Sequence, residues 1–184
     1  MPRPPAARDK VLDAFAAIVA EAGEQAATMD AVAARAGVSK GGLLYHFGSR
    51  EALVDGLLDR LAELGGEDVA LMREAPEGPV DYYLRTSAES PSDLNELYIA
   101  ASRLTQTGAD RARTVLNGLE DGWYAALLDV VGDPAMARIL LLIGDGLYLR
   151  AMRGQQAEAV GSWREIEPEV RRWLEPDQPS SARN

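Results

Sequence analysis

Apolar residues along this chain recur three and four positions apart, the period of amphipathic helices, and nowhere alternate with polar residues over the length of a strand. Val11, Leu12, Phe15, Ile18, Val19 and Ala22 predict a first helix over about 6–22, stopped at Gly23. Leu53, Val54, Leu57, Leu58, Leu61 and Leu64 predict a long helix starting after Ser49, with Gly65 and Gly66 as a bend or weak point. The turn-rich EAPEGP of residues 74–79 ends it. Further helices are expected at 79–89, 91–106, 110–131, 134–153 and 157–174. Pro79, Pro91 and Pro134 fit first turns, and Gly108, Gly132 and Gly154 mark exits. The pattern predicts an all-α protein of about nine helices.

Between the first and the long helix, TMDAVAARAGVSKGGLLYHFGSREAL (28–53) has the grammar of a helix-turn-helix. Thr28 is an N-cap, with Asp30 in the first turn favourable to the helix dipole. Val32, Ala33 and Ala36 form one inward face, Gly37 suits the left-handed exit, and Val38 plugs the corner. Ser39 caps the second helix, whose Leu43 and Phe47 return to the first. Lys40, Gly41 and Gly42 then occupy the first turn of that second helix. Two glycines there cost about 1 kcal/mol each relative to alanine. Close approach to another surface is a reason for such a cost, and this turn of a recognition helix meets base edges in the major groove. Tyr45, His46 and Arg50 suit phosphate oxygens. Thr28, Ser39, Lys40, Gly41, Gly42, Tyr45, His46 and Arg50 are the candidate DNA-contacting residues.

In these residues the sequence resembles the tetracycline-repressor (TetR) family of bacterial transcription regulators. Its signature is matched by Val32-Ala33-Ala34-Arg35-Ala36-Gly37-Val38-Ser39-Lys40-Gly41-Gly42-Leu43, then by His46-Phe47 followed by Arg50, Glu51 and Leu53. The family usually carries tyrosine where this chain has Leu44, which moves the implied phosphate contact toward Tyr45. The resemblance implies a DNA-binding domain over 1–50 and a helical regulatory and dimerisation domain over 51–175; the proline-rich start reads as an N-terminal arm of the first, and PDQPSSARN over 176–184 reads as a disordered tail. The resemblance also implies a four-helix dimer interface built from the last two long helices. Leu140, Ile143, Leu147, Trp163, Ile166, Val170 and Trp173 are the candidate interface residues, because 134–153 is apolar on too many sides for one core. Tyr98, Arg103, Trp123, Tyr124, Asp145 and Tyr148 are the candidate effector-binding residues, as amphipathic groups of the middle helices and one acid in an apolar helix.

Charge modifies this picture. The chain carries 19 basic and 29 acidic residues, a net −10. Residues 1–50 hold six of the bases and five of the acids, leaving 13 and 24 to the rest. With a Debye length of about 8 Å at physiological salt, distant acids are screened and the local face governs binding. Such a balance favours reading specific sites over coating DNA. In the proline-rich arm MPRPPAA and just beyond it, Arg3 or Arg8 is placed to reach a minor groove.

Chemistry of other kinds has little to work with. There is no cysteine and His46 is the single histidine, which removes the usual zinc sites and leaves one imidazole for any triad. No phosphate-binding glycine loop follows a strand. We therefore expect no enzyme, no metal and no cofactor. Without a long apolar segment or secretory leader, a soluble cytoplasmic protein is expected. The expected function is a repressor that binds a pseudo-palindromic operator as a homodimer and is released by a small molecule. Its rival is a DNA-binding architectural or partner-controlled protein of the same fold without an effector.

Overall fold

The computed structural model describes residues 7–89, 93–106 and 108–174. The described residues form nine α-helices and one 3₁₀ turn, with no strand. The helices are α1 Ala7–Ala22, α2 Met29–Ala36, α3 Lys40–His46, α4 Arg50–Glu74, α5 Pro79–Glu89, α6 Asp93–Gln106, α7 Asp110–Val131, α8 Pro134–Met152 and α9 Gln156–Leu174; the 3₁₀ turn is Glu24–Ala26. Helix bounds agree with the expected ones to within a residue or two. The arm with Arg3, the expected Pro91 start and the tail 176–184 lie outside the described residues.

Local chemistry sets the ends. The Ala31 N–H donates to Thr28 Oγ1 at 3.2 Å and the Ala52 N–H to Ser49 Oγ at 3.2 Å, capping α2 and α4. Asp133 Oδ1 accepts from the Ala135 and Met136 N–H groups at 2.8 and 2.9 Å, with Pro134 supplying the first residue of α8.

The chain forms two compact units, Met1–Asp68 with Pro91–Gly122, and Val69–Ser90 with Trp123–Asn184. The limit expected at residue 50 is therefore not a limit of compactness. The first unit joins the helix-turn-helix to much of α4, to α6, which packs on α1, and to the start of α7. Ion pairs reinforce this: Arg60 meets Asp13 at 2.7 Å, and Arg111 meets Asp55 as well as Asp59, the latter at 2.5 Å. Its core contains Leu12, Phe15, Val19, Val32, Leu43, Phe47, Leu53, Leu57 and Leu61, all buried.

The helix α4 runs unbroken through the glycine pair Gly65 and Gly66. Gly65 is needed for packing: a Cβ there would lie 2.7–3.1 Å from the buried Leu119 side chain, while one at Gly66 meets nothing within 4 Å. Gly65→Ala should therefore destabilise the protein, whereas Gly66→Ala should stabilise it by up to about 1 kcal/mol through helix propensity. Thermal melts of the two variants, moving in opposite directions, check this.

In the second unit α5 packs on α8 and α9. Leu84, Leu127, Leu140, Leu147, Trp163 and Val170 are among its buried residues. Tyr83 lies against Gly144 of α8 and donates its hydroxyl to the Leu141 carbonyl at 3.3 Å.

Candidate nucleic-acid interface

The two short helices meet as their sequence dictates. Gly37 takes the left-handed conformation (φ 67°), and the N–H groups of Gly37 and Val38 donate to the carbonyls of Ala34 and Ala33, at 3.3 and 3.1 Å. Two residues later Ser39 Oγ accepts the Gly42 N–H at 3.0 Å and starts α3. Leu43 and Phe47 are buried, which turns the other side of α3 outward. Lys40, Gly41, Leu44, Tyr45 and His46 are all exposed there, Tyr45 to 85% and Leu44 to 44%. The Tyr45 and His46 rings sit edge to face, with centroids 5.1 Å apart.

The glycines of the first turn divide. A Cβ at Gly42 would come within 3.3 Å of the capping Ser39 oxygen, so part of its role is local. At Gly41 the same atom lies 4.0 Å from that oxygen, an ordinary contact. The chain's own packing does not demand a glycine at 41.

Arg35 of α2, Lys40 of α3 and Arg50, the first residue of α4, each have a carboxylate neighbour within the chain. Arg35 grips Glu21 through two hydrogen bonds of 2.6 Å, which hold the Glu21 carboxyl below the usual carboxylate range. Lys40 Nζ lies 2.9 Å from Asp30 Oδ1 and 3.1 Å from Oδ2. Arg50 donates to the Glu24 carbonyl and lies 3.4 Å from Glu24 Oε1. Arg8 lies over the Phe47 ring, 5.4 Å from its centroid.

One expectation changes in consequence: Arg50 holds the 3₁₀ turn. The Thr28 oxygen accepts in its cap, which leaves the hydroxyl proton to donate elsewhere. Arg50→Ala should lower the melting temperature, by about 1–2 kcal/mol of lost charged hydrogen bonding, and leave the salt dependence of DNA binding unchanged. A flattened salt slope with an unchanged melt would restore Arg50 to the phosphates.

The candidate effector residues are divided between the two units. Tyr98 and Arg103 belong to the first unit; Trp123, Tyr124, Asp145 and Tyr148 belong to the second. Asp145 is exposed, because the buried face of α8 is carried by Ala137, Leu140, Leu141, Gly144, Leu147 and Ala151. The Tyr124 ring is covered by the Arg138 guanidinium at 4.2 Å, and its hydroxyl donates to the Pro134 carbonyl at 3.4 Å. None of the six lines the cleft of about 290 Å³ between α5 and α9, where Ala88, Val160 and Trp163 are flanked by Arg85, Arg164 and Arg171 among acids. Within it burial pushes the Asp81 carboxyl up, with Arg171 opposing.

The candidate interface residues also separate. Leu140, Leu147, Trp163 and Val170 are buried in their own chain, so they are not available to a partner. Ile143 and Ile166 are half-buried and Trp173 is exposed. Sequence reasoning missed Ile139, Leu142, Leu149 and Met152, all exposed on α8. Their 3-7-3 spacing places them opposite the buried face, with the exposed Gly146 between. That spacing was the available signal.

The short capped pair with an exposed second helix, on an all-α body, defines a helix-turn-helix protein. Residues 11–57 match the family described as bacterial regulatory proteins, tetR family. Solved structures share the whole fold. A tetR-family member from Streptomyces coelicolor A3 is 24% identical (TM-score 0.64, covering 88% of this chain and 98% of that one). The fatty acid degradation regulator FadR from Bacillus halodurans is 15% identical (TM-score 0.65, 96% and 99%). The multidrug binding protein EbrR complexed with malachite green is 22% identical (TM-score 0.65, 93% and 99%). No curated protein sequence matches the chain. Among the described residues no helix is long and apolar enough to cross a membrane.

Proposed function

We propose that this protein is a transcriptional repressor that binds a pseudo-palindromic operator as a homodimer and is released by a small molecule. The observation that carries the DNA reading is α3, which buries Leu43 and Phe47 and leaves Lys40, Gly41, Leu44, Tyr45 and His46 exposed. A first turn with a lysine beside glycines suits base edges, and a phenol and an imidazole near the other end suit phosphates. The dimer is supported by the second apolar face of α8, since half-sites about 34 Å apart require two recognition helices held at a fixed separation.

For the effector, the 24 acidic against 13 basic residues beyond position 50 favour a neutral or cationic molecule over a polyanion. The likeness to a protein complexed with malachite green, an organic cation, supports the same class. Selection of bound duplexes from a random DNA pool by the full-length chain should enrich an inverted repeat. Malachite green, as a probe cation, should then weaken binding to the selected duplex. An enriched sequence without two-fold symmetry would overturn the dimeric reading; operator affinity indifferent to a panel of organic cations would favour the partner-controlled alternative.

A further inference from the structure

We propose that Leu44 is a base-reading residue of α3, which packs against the C5-methyl group of a thymine at one fixed position in each operator half-site. The proposal rests on the DNA-binding reading of α3 and names one feature of the sequence read.

Among the described residues of the first unit two large apolar side chains are exposed, Leu44 to 44% and Tyr45 to 85%, and both stand on α3. Every other side chain of that kind there is buried or half-buried. Tyr45 carries a hydroxyl and has the His46 ring against its own. Leu44 has no polar atom to offer a phosphate, and Leu43 beside it already supplies the buried side of the helix. Helical spacing fixes what lies next to Leu44. Gly41 stands three residues before it, on the same face, and has no side chain. Helical side chains lean toward the N-terminus, so Leu44 covers the open turn that begins α3. That turn of a recognition helix meets base edges.

The chemistry of the groove then selects the contact. Major-groove edges present hydrogen-bond donors and acceptors together with one apolar group, the thymine methyl. Set against a donor or acceptor, a leucine would strip away water and replace none of its hydrogen bonds. Against the methyl, both partners withdraw apolar surface from water. A buried methyl contributes about fourfold to an equilibrium constant, so two half-sites together give about 15-fold.

For the test, duplexes are selected from a random pool by the full-length chain, and each thymine of the enriched repeat is replaced in both half-sites by deoxyuridine. This removes the methyl and keeps every hydrogen-bonding group. At one position the replacement should weaken binding by about 15-fold, and for Leu44→Ala the same two duplexes should bind within about threefold of each other. Leu44→Ala should also bind the thymine duplex at least about 15-fold more weakly than the unaltered chain does. Comparing two duplexes on one protein separates the methyl contact from any effect of the variant on folding, which circular dichroism melts measure. Deoxyuridine penalties equal in the two proteins at every position would assign the methyls to other side chains and overturn the proposal. A variant weakened alike on the thymine and deoxyuridine duplexes would overturn it too, by placing Leu44 against the sugar-phosphate backbone. So would an enriched repeat with no thymine common to both half-sites. If the unaltered chain enriches no sequence, the DNA reading fails and the proposal with it, an outcome distinct from the others, in which a selected duplex is bound.

Discussion

Leu142→Glu should convert the protein into a folded monomer and reduce operator affinity by at least about 100-fold, through loss of simultaneous engagement of two half-sites. Leu142 is 60% exposed on α8, in line with Ile139, Leu149 and Met152. A carboxylate there stays in water in the monomer, so the fold has no reason to suffer. In a dimer joined through this face it would be buried without a partner, facing its own symmetry copy. Leu147→Glu gives the contrast. Leu147 is only 4% exposed and belongs to the core with Leu140 and Trp163, so its replacement should unfold the second unit rather than split a dimer. Sedimentation with a circular dichroism melt separates the two outcomes. A Leu142→Glu protein that remains dimeric would move the interface elsewhere.

Gly144→Ala should be the most damaging single-methyl change in the second unit. Its Cβ would fall 2.2 Å from Tyr83 Cε1 and 2.6 Å from Cζ, far inside contact distance. The ring cannot easily swing away, because its hydroxyl donates to Leu141 of the same helix and its other neighbours include Trp123, at a centroid distance of 6.1 Å. Overpacking of this kind costs about 1–3 kcal/mol. For a chain of this size that corresponds to a fall in melting temperature of about 2–12 °C. Gly146→Ala, two residues on, meets nothing within 4 Å and should leave the melt unchanged or raise it. Tyr83→Phe combined with Gly144→Ala should recover part of the loss if the hydroxyl tether is what fixes the ring; no recovery would place the strain in the ring itself.

The sequence by itself determined the helices and the helix-turn-helix. Those features are written in neighbours three to five residues apart: Thr28 and Ser39 cap because their oxygens reach N–H groups three residues on, and Gly37 ends α2 because its own φ allows it. Periodicity likewise put Leu43 and Phe47 inward, which fixed the outward set on α3. Which of two apolar faces of α8 belongs to the core was not decidable that way, since Leu140 and Leu142 are equally apolar. Packing against α5 and α9 buried one and left the other exposed. Partners far apart in sequence were equally out of reach. Arg50 lies 26 residues from Glu24 and Lys40 ten from Asp30, and nothing in local spacing brings those charges together. The glycines divide on the same ground. Gly65 and Gly66 look alike in sequence, but only Gly65 faces Leu119. Local rules act through covalent proximity and so are legible in order along the chain, whereas burial, close approach and charge pairing depend on which surfaces folding brings into contact.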